Sequence, residues 1–332
     1  MEALTLGLAI ALLAVLAAEF INGWTDAPNA IATVISTGVM SPRIAILMAV
    51  VMNTIGAMTG IAVANTVGKG IVDPAALTLP SITAAMLSII AWSGIAARIG
   101  IPISKSHALL AGLAGAAFAG GGLAALQWPG WQKVFTGMFM SIVLGGFAAF
   151  LLGALIIKVS GRAKPNPAKR NFDVLSIVTA CTMAFTHGQN DGQKFMGVFT
   201  TTLLAAKVIP KFEVQNWVIV LCAVTMGIGT SFGGWRIIHT VGRKMTRLQS
   251  WQGFAAQTSA SLTIFGASQY GIPLSTTHTI TSAIVGAASS RRISDVRWTV
   301  LKRIVLAWLI TFPFCGAIAF CAATIANRLF VN

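Results

Sequence analysis

Pro102-Ile103-Ser104-Lys105-Ser106-His107 and Pro273-Leu274-Ser275-Thr276-Thr277-His278 are one six-residue element written twice, at an offset of 273 minus 102, or 171 positions. A second pair precedes them in the same order. Asn22-Gly23-Trp24-Thr25-Asp26 is echoed by His187-Gly188-Gln189-Asn190-Asp191, with Asp26 and Asp191 165 positions apart (191 minus 26). Two echoes at nearly the same offset divide the chain into two related halves. The surrounding composition says what kind of halves they are. Of 332 residues, 56% are hydrophobic and 9% charged, too few charges to keep a large surface in water. Soluble enzymes and extracellular modules are excluded, and an all-α polytopic membrane protein is expected. The net charge of +15, which in a soluble chain would suggest nucleic acid, becomes a record of topology instead, and no nucleic-acid partner is expected.

Apolar runs long enough to cross the hydrocarbon core lie near 43 to 65, 82 to 97, 131 to 157, 215 to 238, 251 to 268 and 303 to 327. Two longer stretches, 3 to 38 and 172 to 206, are each interrupted by a polar cluster, and two shorter ones, 102 to 122 and 273 to 290, open with Pro-x-Ser. The sum is ten passages. The apolar segment Ala3 to Ala18 lacks a basic n-region and is read as a retained first helix. With the loop Lys158 to Arg170 in the cytoplasm, Arg43, Arg98, Lys105, Lys158, Arg162, Lys164, Lys169, Arg170, Arg236, Arg243, Lys244, Arg247, Arg291, Arg292, Arg297, Lys302 and Arg303 fall inside, 17 in all. Lys69, Lys133, Lys207, Lys211 and Arg328, only 5, fall outside, and Lys194 lies within a span. The positive-inside rule then puts both termini outside, with five passages per half. An odd number makes the repeats inverted: 1–158, a basic cytoplasmic loop 159–171, and 172–332. Inverted repeats with polar breaks at matching places, discontinuous helices and re-entrant or short helical hairpins are the pattern of a secondary transporter with a midplane site. The expected location is the inner (plasma) membrane, with the lipid bilayer as partner and a homo-oligomer left open.

Most of the eight acidic residues sit at termini or helix ends; Glu19, Asp26 and Asp191 do not. A carboxylate at helix-centre depth costs roughly 2.5 to 3.5 kcal/mol on insertion scales, so function is the default reading. Around Asp26, the stretch Gly23 to Ala30 combines Gly, Thr25, Pro28 and Asn29, and a break there would free carbonyls as hard oxygen ligands for an alkali cation or a proton relay. Residues 188 to 194 offer Asn190, Asp191 and Gln193 in the same way, with Lys194 added. Lys194 is read either as a fixed counter-charge that attracts an anion or replaces sodium, or as a salt-bridge partner of Asp191 or Glu19. Glu19 is either a coupling residue, an interfacial one or that partner.

In the Pro-x-Ser elements, Pro fixes a break, Ser or Thr caps the new helix, and its first N–H groups face the site. Two such termini, with hydroxyls from Ser104, Ser106, Ser275, Thr276 and Thr277, suit a small tetrahedral oxyanion. His107, His187 and His278 either assist protonation or are satisfied helix-end residues. Cys181, Cys222, Cys315 and Cys321 lie in apolar runs without metal spacing, so neither a disulfide nor a metal site is expected.

On these motifs the chain resembles the inorganic phosphate transporter (PiT, Pho-4) family, in its bacterial form. The family signature Gly-x-Asn-Asp-x-x-Asn-Ala resembles residues 23 to 30, with Thr25 in place of Asn; His-Gly-x-Asn-Asp-Gly-Gln-Lys stands at 187 to 194; and Pro-x-Ser-Thr-Thr-His is matched at 273 to 278 and loosely at 102 to 107. The resemblance implies an inverted-repeat fold of about twelve helical segments and cation-coupled phosphate symport. It places Asp26, Asn29, Asn190 and Asp191 near the cation and phosphate sites. Thr25 and Lys194 depart from the sodium-coupled pattern; the bacterial form goes more often with protons and with metal-phosphate complexes. No cofactor beyond a coupling H+ or Na+ is implied. Sulfate is the alternative substrate within the fold. A membrane enzyme acting on phosphate esters would need an activated nucleophile or a metal cluster, and an anion channel a basic pore.

The topology is directly testable. A cysteine introduced in the 159 to 170 loop should react with a membrane-impermeant reagent only from the cytoplasmic side, and one beside Arg328 only from outside. Labelling of both from one side would refute ten passages.

Overall fold

In a chain this apolar, the backbone must satisfy its own hydrogen bonds, and helices are the economical way to do so. The computed structural model describes residues 2–160 and 165–330, and within them twelve α-helices. The first half runs α1 (Glu2–Ser36), α2 (Pro42–Ala57), α3 (Ala62–Lys69), α4 (Leu79–Ile99), α5 (Lys105–Gly121) and α6 (Trp128–Ser160). The second runs α7 (Pro165–Ala205), α8 (Asn216–Thr230), α9 (Trp235–His239), α10 (Ser250–Gln269), α11 (Thr276–Ser289) and α12 (Trp298–Phe330), with a π-helical turn, Thr240–Lys244, directly after α9. The packing comes in matched pairs. α5 lies on α12 as α11 lies on α6; α1 crosses α8 as α7 crosses α2; α1 meets α4 as α7 meets α10. Large apolar side chains such as Phe139 and Phe147 on α6 and Leu306 and Leu309 on α12 face outward, as a lipid solvent requires.

Two expectations about helix breaks need correcting. The helices carrying Asp26 and Asp191 were expected to be discontinuous, yet α1 runs unbroken through Pro28 and α7 unbroken from Pro165 to Ala205. Proline removes one N–H, but neighbouring helices hold a membrane helix through it, so a Pro inside an apolar run does not by itself break the rod. The runs 43 to 65 and 215 to 238, read as uninterrupted crossings, are the ones that bend, by 71° between α2 and α3 and by 62° between α8 and α9. α7 braces the first bend. Gln189 Nε2 donates to the Thr59 carbonyl (3.2 Å), and Gln193 Oε1 accepts from Val63 N (2.9 Å), satisfying an orphan donor at the start of α3.

By length and apolarity alone, five of the described helices are able to span a bilayer, or seven if each bent pair is one span. α7 and α10 fall outside that count because they carry polar residues inward, and α11 because it is only 14 residues long. In the basic stretch 159–171, Arg162 and Lys164 lie outside the described residues, whereas Lys169 already belongs to α7 and pairs with Asp173 one turn on at 2.8 Å.

α7 reaches α2 at a point of contact that only glycine allows. A Cβ on Gly188 would lie 2.1 Å from the Asn53 carbonyl oxygen. Gly188→Ala should therefore force the helices apart and destabilise the fold by about 1–3 kcal/mol. The check is a lowered midpoint of thermal unfolding in detergent; an unchanged midpoint would mean that α2 yields freely.

Candidate functional site

The two Pro-x-Ser elements form non-helical segments that end at α5 and α11, and both hairpins meet at the waist of α1 and α7. Ser104 and Ser275 are the N-cap residues: their hydroxyl oxygens accept from His107 N (3.1 Å) and His278 N (3.2 Å), as capping predicts. The segments also hold one another. Ser106 Oγ donates to the Leu274 carbonyl (2.9 Å), and Thr277 Oγ1 donates to the Ile103 carbonyl (3.3 Å), a matched exchange between the halves. The free carbonyls expected around Asp26 and Asp191 are thus found here instead, at Ile103 and Leu274. The N–H groups of Lys105, Ser106, Thr276 and Thr277, in the first turns, have no intrahelical acceptor.

Into this crossing project four buried charges. Asp26 Oδ1 is 2.5 Å from Lys105 Nζ, and Asp191 Oδ1 is 2.5 Å from Lys194 Nζ. Lys194 uses all three of its donors, on Asp191, on Ser106 Oγ (2.5 Å) and on the Leu274 carbonyl (2.7 Å). Thr276 Oγ1 donates to Asp191 Oδ2 (2.9 Å), and Asn29 Nδ2 donates to Thr277 Oγ1 (3.1 Å). Under the offset of the repeats these contacts correspond: Lys105 on Asp26 matches Thr276 on Asp191, and Lys194 on Ser106 matches Asn29 on Thr277. The geometry is duplicated and the charge is not.

Asp26, Asp191, Asn29, Lys194, Ser106, Thr276 and Thr277 are therefore brought together, with the caps Ser104 and Ser275 beneath them. Other expected residues point elsewhere. Thr25 Oγ1 is turned back onto the Ile21 carbonyl (2.6 Å) of its own helix, Gln193 braces α3, and Asn190 Nδ2 holds Ser268 Oγ (2.9 Å) and the Ile272 carbonyl (3.2 Å) ahead of α11. Glu19 is fully buried two turns from Asp26; Asn22 Nδ2 donates to one of its oxygens (3.1 Å) and the other has no partner. It does not pair with Lys194, which is committed to Asp191.

Lys105 was expected in a cytoplasmic loop and is instead buried against Asp26, so the inside count falls by one, from 17 to 16. The signal was present, since Lys105 occupies the position of Thr276 in the repeat. Two further residues join the cluster. His187 Nε2 lies 3.3 Å from Asp191 Oδ2, and its Nδ1 lies 2.9 Å from Asn53 Oδ1. Because the Asn53 amide donates to Thr230 Oγ1 (3.3 Å), its oxygen faces the ring, which assigns the Nδ1 proton to His187. An amide inside the apolar run 43 to 65 was the clue to Asn53. Asp26, His187 and Asp191 present ligand atoms within 4.8 Å of one another, where no metal-binding set was expected. His107 and His278 meet each other edge to face (centroids 4.5 Å apart), and His107 also packs on Phe312 and His278 on Trp308.

A polytopic helical protein with a polar, charged crossing sealed at its centre is built as a membrane carrier. The comparisons give its kind. A sequence model of the Phosphate transporter family (PHO4) matches residues 22–319. A protein of Bacillus subtilis (strain 168) named a probable low-affinity inorganic phosphate transporter is 42% identical over 321 residues, covering 95% of this chain and 96% of its own. One of the same name from Rhizobium meliloti (strain 1021) is 41% identical over 303 residues, covering 91% of each. A solved structure titled the sodium-dependent phosphate transporter superposes with a TM-score of 0.87 over 98% of this chain and 99% of that one, at 24% identity, a likeness of fold. The chain belongs to the Phosphate transporter family and is an integral membrane transport protein, not an enzyme.

The buried pair sets a stability test. Lys105→Ala leaves Asp26 buried without a partner, which should cost about 3–5 kcal/mol, and adding Asp26→Ala should recover much of that loss. A double-mutant cycle on thermal unfolding in detergent measures both; additive losses would show that the pair is uncoupled.

Proposed function

We propose that the chain carries inorganic phosphate into the cell by proton-coupled symport, with the crossing of α1, α7 and the two Pro-x-Ser hairpins as the substrate site. The observation that carries the reading is the pairing of two buried carboxylates with two buried ammonium groups, Asp26 with Lys105 and Asp191 with Lys194. Phosphate finds there two cations, the free N–H groups of two helix termini, and the hydroxyls of Ser104, Ser106, Ser275, Thr276 and Thr277. Asn29 orients the second terminus. Asn190 shapes the hairpin that carries it.

Charge bears on the choice of coupling ion. Moving a dianion into a negative-inside cell costs about 4.6 kcal/mol per 100 mV, twice the roughly 2.3 for one charge, so cations must travel with it. A sodium ion at Asp26 and Asp191 would have to compete with ammonium groups already 2.5 Å away. A proton faces the same ion pairs, but once bound it neutralises a carboxylate and frees the lysine for the anion, so proton and anion together replace the pair. Asp26, Asp191 and Glu19 are the proton carriers in this reading, while Thr25 and Gln193 hold the helices that bear them. The matched packing of the halves supports an inverted repeat rocking about this site, with 159–171 in the cytoplasm, both termini outside and the whole in the plasma membrane. One observation favours a metal-phosphate cargo as well: Asp26, His187 and Asp191 converge closely enough to take a divalent ion beside the anion.

In proteoliposomes, uptake of labelled phosphate should rise with an inward proton gradient and persist when choline replaces sodium. Uptake that needs sodium and ignores pH would overturn proton coupling. Asp26→Asn and Asp191→Asn should each abolish accumulation against a gradient, and normal accumulation in both would overturn the mechanism. Ser104→Ala with Ser275→Ala should lower phosphate affinity at least tenfold, since a hydrogen bond to a charged group is worth about 1.5–3 kcal/mol. Sulfate or arsenate competing better than phosphate would reassign the substrate.

A further inference from the structure

Far from the central crossing, the π-helical turn Thr240–Lys244 borders an open surface cavity of about 430 Å³, within the range of small-ligand sites at roughly 300–1,000 Å³. Its wall is built by His239, Arg243, Lys244, Arg247 and Arg297, together with Ser36 at the end of α1. No carboxylate lines it, and among the described residues none of these five basic side chains is in an ion pair. Like charges gathered around one cavity repel, and all five of these side chains stand exposed to solvent at it. The Arg297 N–H donates to the Met245 carbonyl (2.9 Å), tying the approach to α12 to the end of the turn. Gly242 presses the turn onto α1, where a Cβ would lie 2.8 Å from the Ala32 carbonyl oxygen. π-Turns cluster at functional sites because they re-aim side chains that a regular helix would spread around its axis.

We propose that this cavity is a second anion site, for a soluble compound carrying two or more linked phosphoryl groups. Four positive charges, Arg243, Lys244, Arg247 and Arg297, exceed the roughly −2 of a single phosphate, and linked phosphoryl groups match them. Arginine forks suit phosphoryl oxygens bidentately. A lipid headgroup fits less well: Leu248 is the one large apolar side chain in the lining, which offers little to an acyl chain. The site is on the cytoplasmic face if the orientation proposed above holds. It joins α1, the turn and the start of α12, so an occupant restrains the helix that carries Asp26.

The test is titration of the full-length protein in detergent with sodium tripolyphosphate, followed by calorimetry. Saturable binding is expected, weakened at least tenfold in Arg243→Gln/Arg247→Gln and also in Arg297→Gln, which approaches from a different segment and so guards against a local misfolding of the turn. Arg43→Gln, a basic residue outside the cavity, should bind as wild type does. Ser104→Ala/Ser275→Ala should weaken orthophosphate while leaving tripolyphosphate unchanged, which separates this site from the central one. Wild-type affinity in the cavity variants, an equal loss in Arg43→Gln, or loss of tripolyphosphate in the serine variant would each overturn the proposal. So would absence of tripolyphosphate binding alongside cavity-dependent binding of phosphatidylglycerol vesicles, which would make the cavity a lipid site.

Discussion

Four charged side chains buried at the centre of an apolar bundle are the constraint on which the rest of this structure depends. Breaking such a pair costs about 3–5 kcal/mol, so each lysine must stay on its carboxylate or find another partner as the protein moves. Asp26 on α1 therefore holds Lys105 at the start of α5, and Asp191 on α7 holds Lys194 while Lys194 holds Ser106. These bonds pin α1 and α7 to the tips of both hairpins. The apolar helices have only to wrap that core, which α6 and α12 do in matching positions on α11 and α5.

The duplication is visible atom by atom, and so is its limit. Caps, exchanged carbonyl bonds and helix crossings all come twice. The residues at the centre do not, because Lys105 stands where the second half has Thr276, and Asn29 stands where the second half has Lys194. Each half thus contributes one lysine, but from a different element: a hairpin tip in the first, a long helix in the second. A site with this arrangement is symmetric in shape and polar in charge. When α1 moves relative to α5, Lys105 and Asp26 are parted between two elements, whereas Lys194 and Asp191 ride together on α7.

Much of this was legible in the sequence, and the misses have physical causes. The Pro-x-Ser echo marked both hairpins correctly because proline and a capping serine act locally, through fixed φ and one hydrogen bond. Asp26 and Asp191 were marked by the cost of burying charge. Lys105 was misplaced because a lysine beside a break looks like a loop residue until the chain is known to return inward there. The helix breaks were misplaced for a related reason. Pro28 has neighbours that hold α1 through it, while the bends near Gly60 and Gly233 fall at short Thr/Ser/Gly clusters inside runs that were read by their overall apolarity alone. Thr25 and Gln193 are the right residue types in the right motif, yet helical phase turns one onto its own backbone and the other toward α3. Phase over a few residues is what a motif cannot carry.

The asymmetry also bears on how a carrier of this kind would avoid moving one ion alone. With both carboxylates ionised and both lysines paired, the centre sums to zero charge, and its hydroxyls are committed to backbone carbonyls and to Asp191, so the hairpins are latched by Ser106 and Thr277. An anion arriving alone must break those bonds and also compete with Asp26 and Asp191 for the ammonium groups. Protonating a carboxylate removes that competition, because a neutral acid attracts a lysine far less than a carboxylate does. In the proposed reading, anion and proton each make the other's binding more favourable, which is the reciprocity that coupling requires. The coupling then resides in two lysines exchanging a carboxylate for a phosphate, and it needs no contact between the proton and the anion themselves.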